Sequence, residues 1–205
     1  GAKYAVSFNS ATSAIFLALQ LRDEKLVIEV PSMIPPVVLN AIKTSGNDYT
    51  FNDNTDWVGG SYVLTEFIDY KIVDSAQKLE RDQFTIECND NDLMVFSHYP
   101  TKPVGSCDGG MIVSNDKNKI DKLREMALNG MTYSHNNWER VQNSFGFKMY
   151  MNSIQAEIGL NNLVIYEKKL LALESVKNRY NDAFGLNNTS NHLYRIEWYI
   201  YWYSL

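Results

Sequence analysis

Short apolar runs alternate with capped, helix-spaced stretches over the first two-thirds of the chain, and this alternation restricts the fold to a layered α/β sheet. Residues 4–8, 26–30, 71–73, 93–96 and 111–113 read as buried strands. Between them, Asn9-Ser10 caps a helix running to about Leu21, and Pro35-Pro36 opens a helix that ends before Gly46. Residues 117–129 form another, stopped by Gly130. In sheets of this kind ligands gather beyond the carboxyl ends of the strands. Four polar points fall there: Ser10 to Thr12, Asp74, Ser97, and the loop leading to Lys102.

A second feature concerns domain organisation. Residues 153–184 carry Ile154, Ile158, Leu163, Tyr166, Leu170, Leu173 and Val176 at helical spacing, with Asn152 or Ser153 as cap and Gly185 as stop. A single helix of that length reaches roughly 45–50 Å, enough to leave one domain and enter another. The expected division is therefore a ligand-binding large domain over 1–152 and a linking helix with the remnant of a second domain over 153–205. The stretch from Tyr194 holds Trp198, Tyr199, Tyr201, Trp202 and Tyr203, a density of aromatics that calls for a partner surface.

Composition narrows the partners. A chain of 205 residues suffices for one domain with a real core, and its net charge of −5 gives no general attraction to nucleic acid or anionic membrane. No apolar run is long enough to span a bilayer, and no signal-like segment is visible. Cys88 and Cys107 cannot make a zinc site alone and read as free thiols of a cytoplasmic protein.

Three segments can carry chemistry. The small-residue turn from Asn9 to Ala14 is either a plain helix cap or a phosphate site, since a helix N-terminus presents free amides and a positive dipole end. Asp74, directly after a strand, with Gln77 three residues on, is either another cap or a carboxylate facing a cationic ring nitrogen. Ser97, His98 and Lys102 precede Asp108-Gly109-Gly110. A lysine there is either a solvated surface group or, with a lowered pKa, a Schiff-base former. His98 is equally an acid–base group or a hydrogen-bonded structural histidine.

The order and spacing of these segments is more specific than any one of them. A small-residue turn, Asp-x-x-Gln, Ser-x-x-x-x-Lys and an acidic-Gly-Gly turn together resemble the DegT/DnrJ/EryC1/StrS family of fold-type-I sugar aminotransferases. Val30-Pro31-Ser32, Asn40 to Ile42, and the stretch from Gly146 to Leu160 extend the likeness to about residues 1–193. The resemblance implies a three-layer α/β/α sandwich, shortened, with the small C-terminal domain largely missing. It implies pyridoxal 5'-phosphate as cofactor, joined to Lys102, which later shuttles a proton. Asp74 would pair with the pyridine nitrogen, and Gln77 with the ring hydroxyl. Ala11 and Thr12 would cradle the phosphate, with the Ser97 hydroxyl added. Lys148 would reach the phosphate of the other subunit in a homodimer. The implied reaction moves an amino group from an amino acid such as glutamate to a nucleotide-linked keto-sugar. Related dehydratases carry histidine where Lys102 stands, so lysine favours transamination.

This sequence also departs from the family pattern. Pro35 occupies the place of an aromatic residue that stacks on the ring, Cys107 replaces a glycine, and Asn129 stands where histidine is common. Residues 52–68 form a much shorter connection than the family's, with a strand–helix unit missing. The alternative to an active aminotransferase is therefore a degenerate relative that serves as a binding or assembly module.

Overall fold

A computed structural model describes residues 1–133 and 138–185. In chain order the elements are β1 (Tyr4–Phe8), α1 (Ala11–Leu19), β2 (Val27–Pro31), α2 (Pro36–Thr44), β3 (Asp48–Asn52), β4 (Tyr62–Glu66) and β5 (Lys71–Asp74). They continue with α3 (Gln83–Glu87), β6 (Leu93–Ser97), β7 (Gly110–Ser114), α4 (Lys117–Ala127), β8 (Met131–Tyr133), β9 (Arg140–Gln142), α5 (Ser153–Val164) and α6 (Tyr166–Phe184). The central sheet runs β1-β7-β6-β5-β4, with β5 and β6 parallel and the other neighbours antiparallel. β2 and β3 form a parallel pair, as a crossover through α2 requires.

β6 is buried along its whole length, and its alternating side chains divide the core in two. Leu93 and Val95 join Ile72 and Ile112 against Ala14, Leu17 and Ala18 of α1 and Ile120 and Leu123 of α4. Met94 and Phe96 face the other way, toward Val73 and Phe84. Both faces of β6, a central strand of the sheet, are thus covered.

The register aligns those ends. Gly110 at the start of β7 pairs with Phe8 at the end of β1 and with Ser97 at the end of β6. Asp74, closing β5, lies beside Val95 of β6. The turn after β1, Asp74, Ser97 and the Gly109-Gly110 turn therefore share one edge of the sheet, as expected from the sequence.

The long helix is a correction. It is two helices, because Ile165 leaves the helical region at φ −96°, ψ 4° and its amide turns to the carbonyl of Leu163. The apolar spacing runs through the break unchanged, so the sequence carries no mark of it. On either side, polar contacts dock the helices to the body: Asn162 Nδ2 donates to Gly105 O (2.7 Å), and the Tyr166 hydroxyl to Leu79 O (2.7 Å). α4 also ends earlier than expected, at Ala127, since Asn129 has already turned to φ 58°. The aromatic stretch from Tyr194 lies outside the described residues.

Candidate active site

The carboxylate at the end of β5 is buried at the shared edge. Asp74 is 4% exposed; its Oδ1 accepts the Ala76 amide (2.9 Å) and its Oδ2 accepts the hydroxyl of Tyr62 (2.9 Å). Burial pushes its pKa above the usual carboxylate range, and the Ala76 amide, the Tyr62 hydroxyl and the charge of Lys102 each pull it back in part. The same burial, with the neighbouring carboxylate, holds the Tyr62 hydroxyl well above its ordinary value, so it stays protonated and donates.

Lys102 sits in the loop between β6 and β7. Backbone bonds pin that loop: His98 N to Gly109 O (2.9 Å), Ser106 N to His98 O (2.7 Å) and Lys102 N to Tyr99 O (2.9 Å). From α6, Lys169 Nζ donates to the carbonyls of Lys102 (3.0 Å) and Pro103 (3.2 Å). Burial lowers the pKa of Lys102, and the charge of Asp74 acts in the opposite sense. Each of the two groups acts on the charge of the other, as groups on strand ends and loops of the same sheet edge do. His98 has a structural role here, since its Nδ1 donates to the carbonyl of Val104 (2.9 Å).

The N-terminus of α1 closes the same edge. Ser10 caps it through its Oγ, which accepts the Ser13 amide (3.1 Å), while the Ala14 amide bonds to Ser10 O. The cap leaves the amides of Ala11 and Thr12 for another acceptor. Gly110 makes this approach possible: a Cβ there would stand 2.6 Å from Ala11 N and 2.6 Å from Ser10 O. Gly110→Ala is therefore expected to destabilise the protein by about 1–3 kcal/mol, the range of an overpacked contact. Urea unfolding would show an undiminished midpoint if that approach is looser than described.

The remaining residues are less uniform. Ser97 is buried, and its Oγ accepts the Tyr99 amide at 3.3 Å, leaving its hydrogen to donate elsewhere. Gln77 Oε1 accepts the Gly59 amide (2.6 Å), so a contact to a ring oxygen would come from Nε2. Pro35 is half-buried and precedes α2 at φ −58°, ψ 137°. Lys148 is exposed in the segment that bridges Leu128, next to Met149, whose carbonyl accepts the Asn9 amide. Cys107 is exposed and Cys88 is half-buried, both as free thiols. A concavity of about 400 Å³ lined by Lys25, Lys43, Asn47 and Asp48 opens at the amino ends of β2 and β3, away from these groups. Among the described residues, no group of His, Cys, Asp and Glu could hold a metal ion, and no helix is long and apolar enough to cross a membrane. Sequence reasoning missed Tyr62, Trp57, Gly59 and Lys169. Two large aromatics in the otherwise polar stretch 52–62 were the one local signal.

A model of the DegT/DnrJ/EryC1/StrS aminotransferase family matches residues 84–195. The chain belongs to this family. It is 28% identical over 229 aligned positions to the spore coat polysaccharide biosynthesis protein SpsC of Bacillus subtilis, covering 90% of this chain and 58% of that protein. It is 24% identical to a UDP-4-amino-4,6-dideoxy-N-acetyl-beta-L-altrosamine transaminase of Campylobacter jejuni, covering 96% of this chain and 65% of the relative. The fold is shared with the aminotransferase PseC of Helicobacter pylori, at a TM-score of 0.70 and 20% identity, over 92% of this chain and 60% of that one. The chain thus spans about three-fifths of the length of these proteins.

Aminotransferases of this family use pyridoxal phosphate. The residues present fit that group: a buried carboxylate for a ring nitrogen, a half-buried amine for an aldehyde, and helix amides left by their cap for a phosphate lie along one sheet edge.

Proposed function

We propose that this chain is the cofactor-bearing part of an aminotransferase that passes an amino group from an amino acid, glutamate, to a nucleotide-linked keto-sugar. The observation that carries this reading is the strand register, which sets the turn into α1, Asp74, Ser97 and the ends of the loop bearing Lys102 at one edge of the sheet. The sugar class draws support from the Campylobacter relative, a transaminase of a UDP-linked sugar by name.

Pyridoxal phosphate supplies an aldehyde for amine exchange and a ring that takes up electron density. The protein's part is to hold and to move protons. Burial lowers the pKa of Lys102, which raises its neutral, nucleophilic fraction near pH 7 and lets it carry a proton between neighbouring carbons. Asp74 would place a negative charge at the ring nitrogen. The amides of Ala11 and Thr12 and the Ser97 hydroxyl would bind the phosphate, and Gln77 Nε2 the ring oxygen. Adding pyridoxal phosphate to the purified chain should produce visible absorbance that borohydride removes, leaving a pyridoxyl mass on the peptide containing Lys102. An adduct on another lysine, or none, would sink the assignment.

Assembly as a cytoplasmic homodimer belongs to the same proposal. α5 and α6 expose Ile154, Leu160, Leu163, Leu171 and Phe184, an apolar surface that a two-fold partner would cover. Lys148, exposed just before α5, would then reach the partner's phosphate. Sedimentation at micromolar concentration is expected to report twice the chain mass. A monomer that still loads the cofactor removes that role from Lys148.

A further inference from the structure

The short connection after β3 returns as β4, which forms an antiparallel hairpin with β5. Counted back from the pair Glu66↔Lys71, an unbroken ladder would set Val63 opposite Asp74. The ladder is not unbroken. A bulge between Val63 and Thr65 adds one residue to β4, Leu64 turns into the core at 1% exposure, and Tyr62 takes the place opposite Asp74. Paired residues of adjacent strands project on the same face, so the phenol comes to lie on the carboxylate and its hydroxyl donates to Oδ2 (2.9 Å).

The same segment is held in two further ways. Trp57, 5% exposed, meets the Tyr62 ring edge-on with centroids 5.6 Å apart. The Gly59 amide donates to Gln77 Oε1, three residues past Asp74. The phenol is therefore fixed by packing, and the carboxylate is fixed by the phenol. Two ionised oxygens offer about four acceptor positions, of which the Ala76 amide and the Tyr62 hydroxyl use two. Room remains for a third donor on the same carboxylate.

We infer that Tyr62 is a positioning residue of the cofactor site, its hydroxyl fixing the Asp74 carboxylate in the orientation and ionised form that a protonated ring nitrogen requires. The inference rests on the pyridoxal phosphate reading of the site. A hydroxyl donating to a carboxylate favours the charged form, and charge-assisted bonds of this kind are stronger than neutral ones. Lys102, from the loop after β6, is the other charged group acting on Asp74.

Tyr62→Phe removes the hydroxyl and keeps the ring against Trp57. In the cofactor-free protein, the carboxyl carbon of Asp74 followed by NMR should then titrate at higher pH than in wild type. Affinity for pyridoxal phosphate should fall on the order of tenfold, the effect of one hydrogen bond to a charged group. In an Asp74→Asn background the same change should cost little further affinity, as expected for two residues acting through one bond. An unshifted Asp74 midpoint with unchanged affinity overturns the role of Tyr62. Should Tyr62→Phe fail to fold, wild-type protein labelled at tyrosine Cζ decides the matter, since the Tyr62 signal must move at the Asp74 midpoint. A Tyr62 signal that ignores that midpoint overturns the inference. Failure of wild type to take up pyridoxal phosphate counts instead against the function proposed above.

Discussion

Lys102→Ala is expected to hold pyridoxal phosphate only reversibly, with no adduct after borohydride and an amino-transfer rate lower by roughly 10⁴-fold, the upper end of what a positioned acid–base group supplies. Both parts of the effect have one origin. The loop between β6 and β7 is pinned by bonds of His98, Ser106 and Lys169, which holds the backbone of Lys102 in place. The phosphate and ring contacts proposed for Ala11, Thr12, Ser97 and Gln77 would not depend on the amine, and the variant should still bind the cofactor in equilibrium dialysis. The variant should also fold. Burial lowers the wild-type pKa, so folding releases a proton from this lysine, and the charged form is a cost that alanine removes. In melts at increasing pH the wild type should gain stability through the lowered folded value up to about the ordinary 10.5, and the variant should lack that gain. Retention of a borohydride-stable adduct in the variant would place the reactive amine elsewhere.

Asp74→Asn should lose the half-reaction with glutamate by a factor on the order of 10³, comparable to removal of a preorganised electrostatic group. Asparagine keeps the shape, can accept the Ala76 amide, and can donate to the Tyr62 oxygen, but it cannot carry the charge that keeps a ring nitrogen protonated. The cofactor-free protein should respond in the opposite sense. The folded pKa of Asp74 is raised above its ordinary value of 3.8 by burial. The group therefore contributes stability that is fully present below that value and lost as pH rises through the folded value. At neutral pH the buried charge is a net cost. The asparagine variant is then expected to melt at or above the wild-type temperature at pH 7, with a flatter acid profile. A melting point several degrees lower, equivalent to about 1 kcal/mol or more, would make Asp74 a structural group rather than one held ready for a ligand.

Most of the site was legible because its parts are local. A helix cap, a strand end and a glycine turn are each decided within a few residues, and their order along the chain carried the family pattern. Asn9 to Thr12, Asp74, Ser97 and Gly109-Gly110 all come to the edge where the alternation of strands and helices put them. Lys102 was legible as a loop lysine, but only its half-buried place and lowered pKa distinguish it from a solvated one. Gln77 and Ser97 were expected to face a ring and a phosphate; the structure adds that each already accepts a backbone amide, which limits the direction in which it can donate.

Other features had no local sign. β3 shows no clean alternation, with its burial set by pairing to β2 and not by its own pattern. The break at Ile165 lies inside a continuous helical period, and what distinguishes its two sides is contact with Leu79 and Gly105 on distant loops. The partner of Asp74 is the sharpest case. Sequence determined that an acidic residue closes a buried strand in a layered α/β sheet, because composition and periodicity report whether a segment is buried and where it ends. Which side chain meets that carboxylate was decided by one extra residue in β4, and a bulge reflects how two strands share hydrogen bonds and core space across the sheet. That choice exists only once both strands are in place.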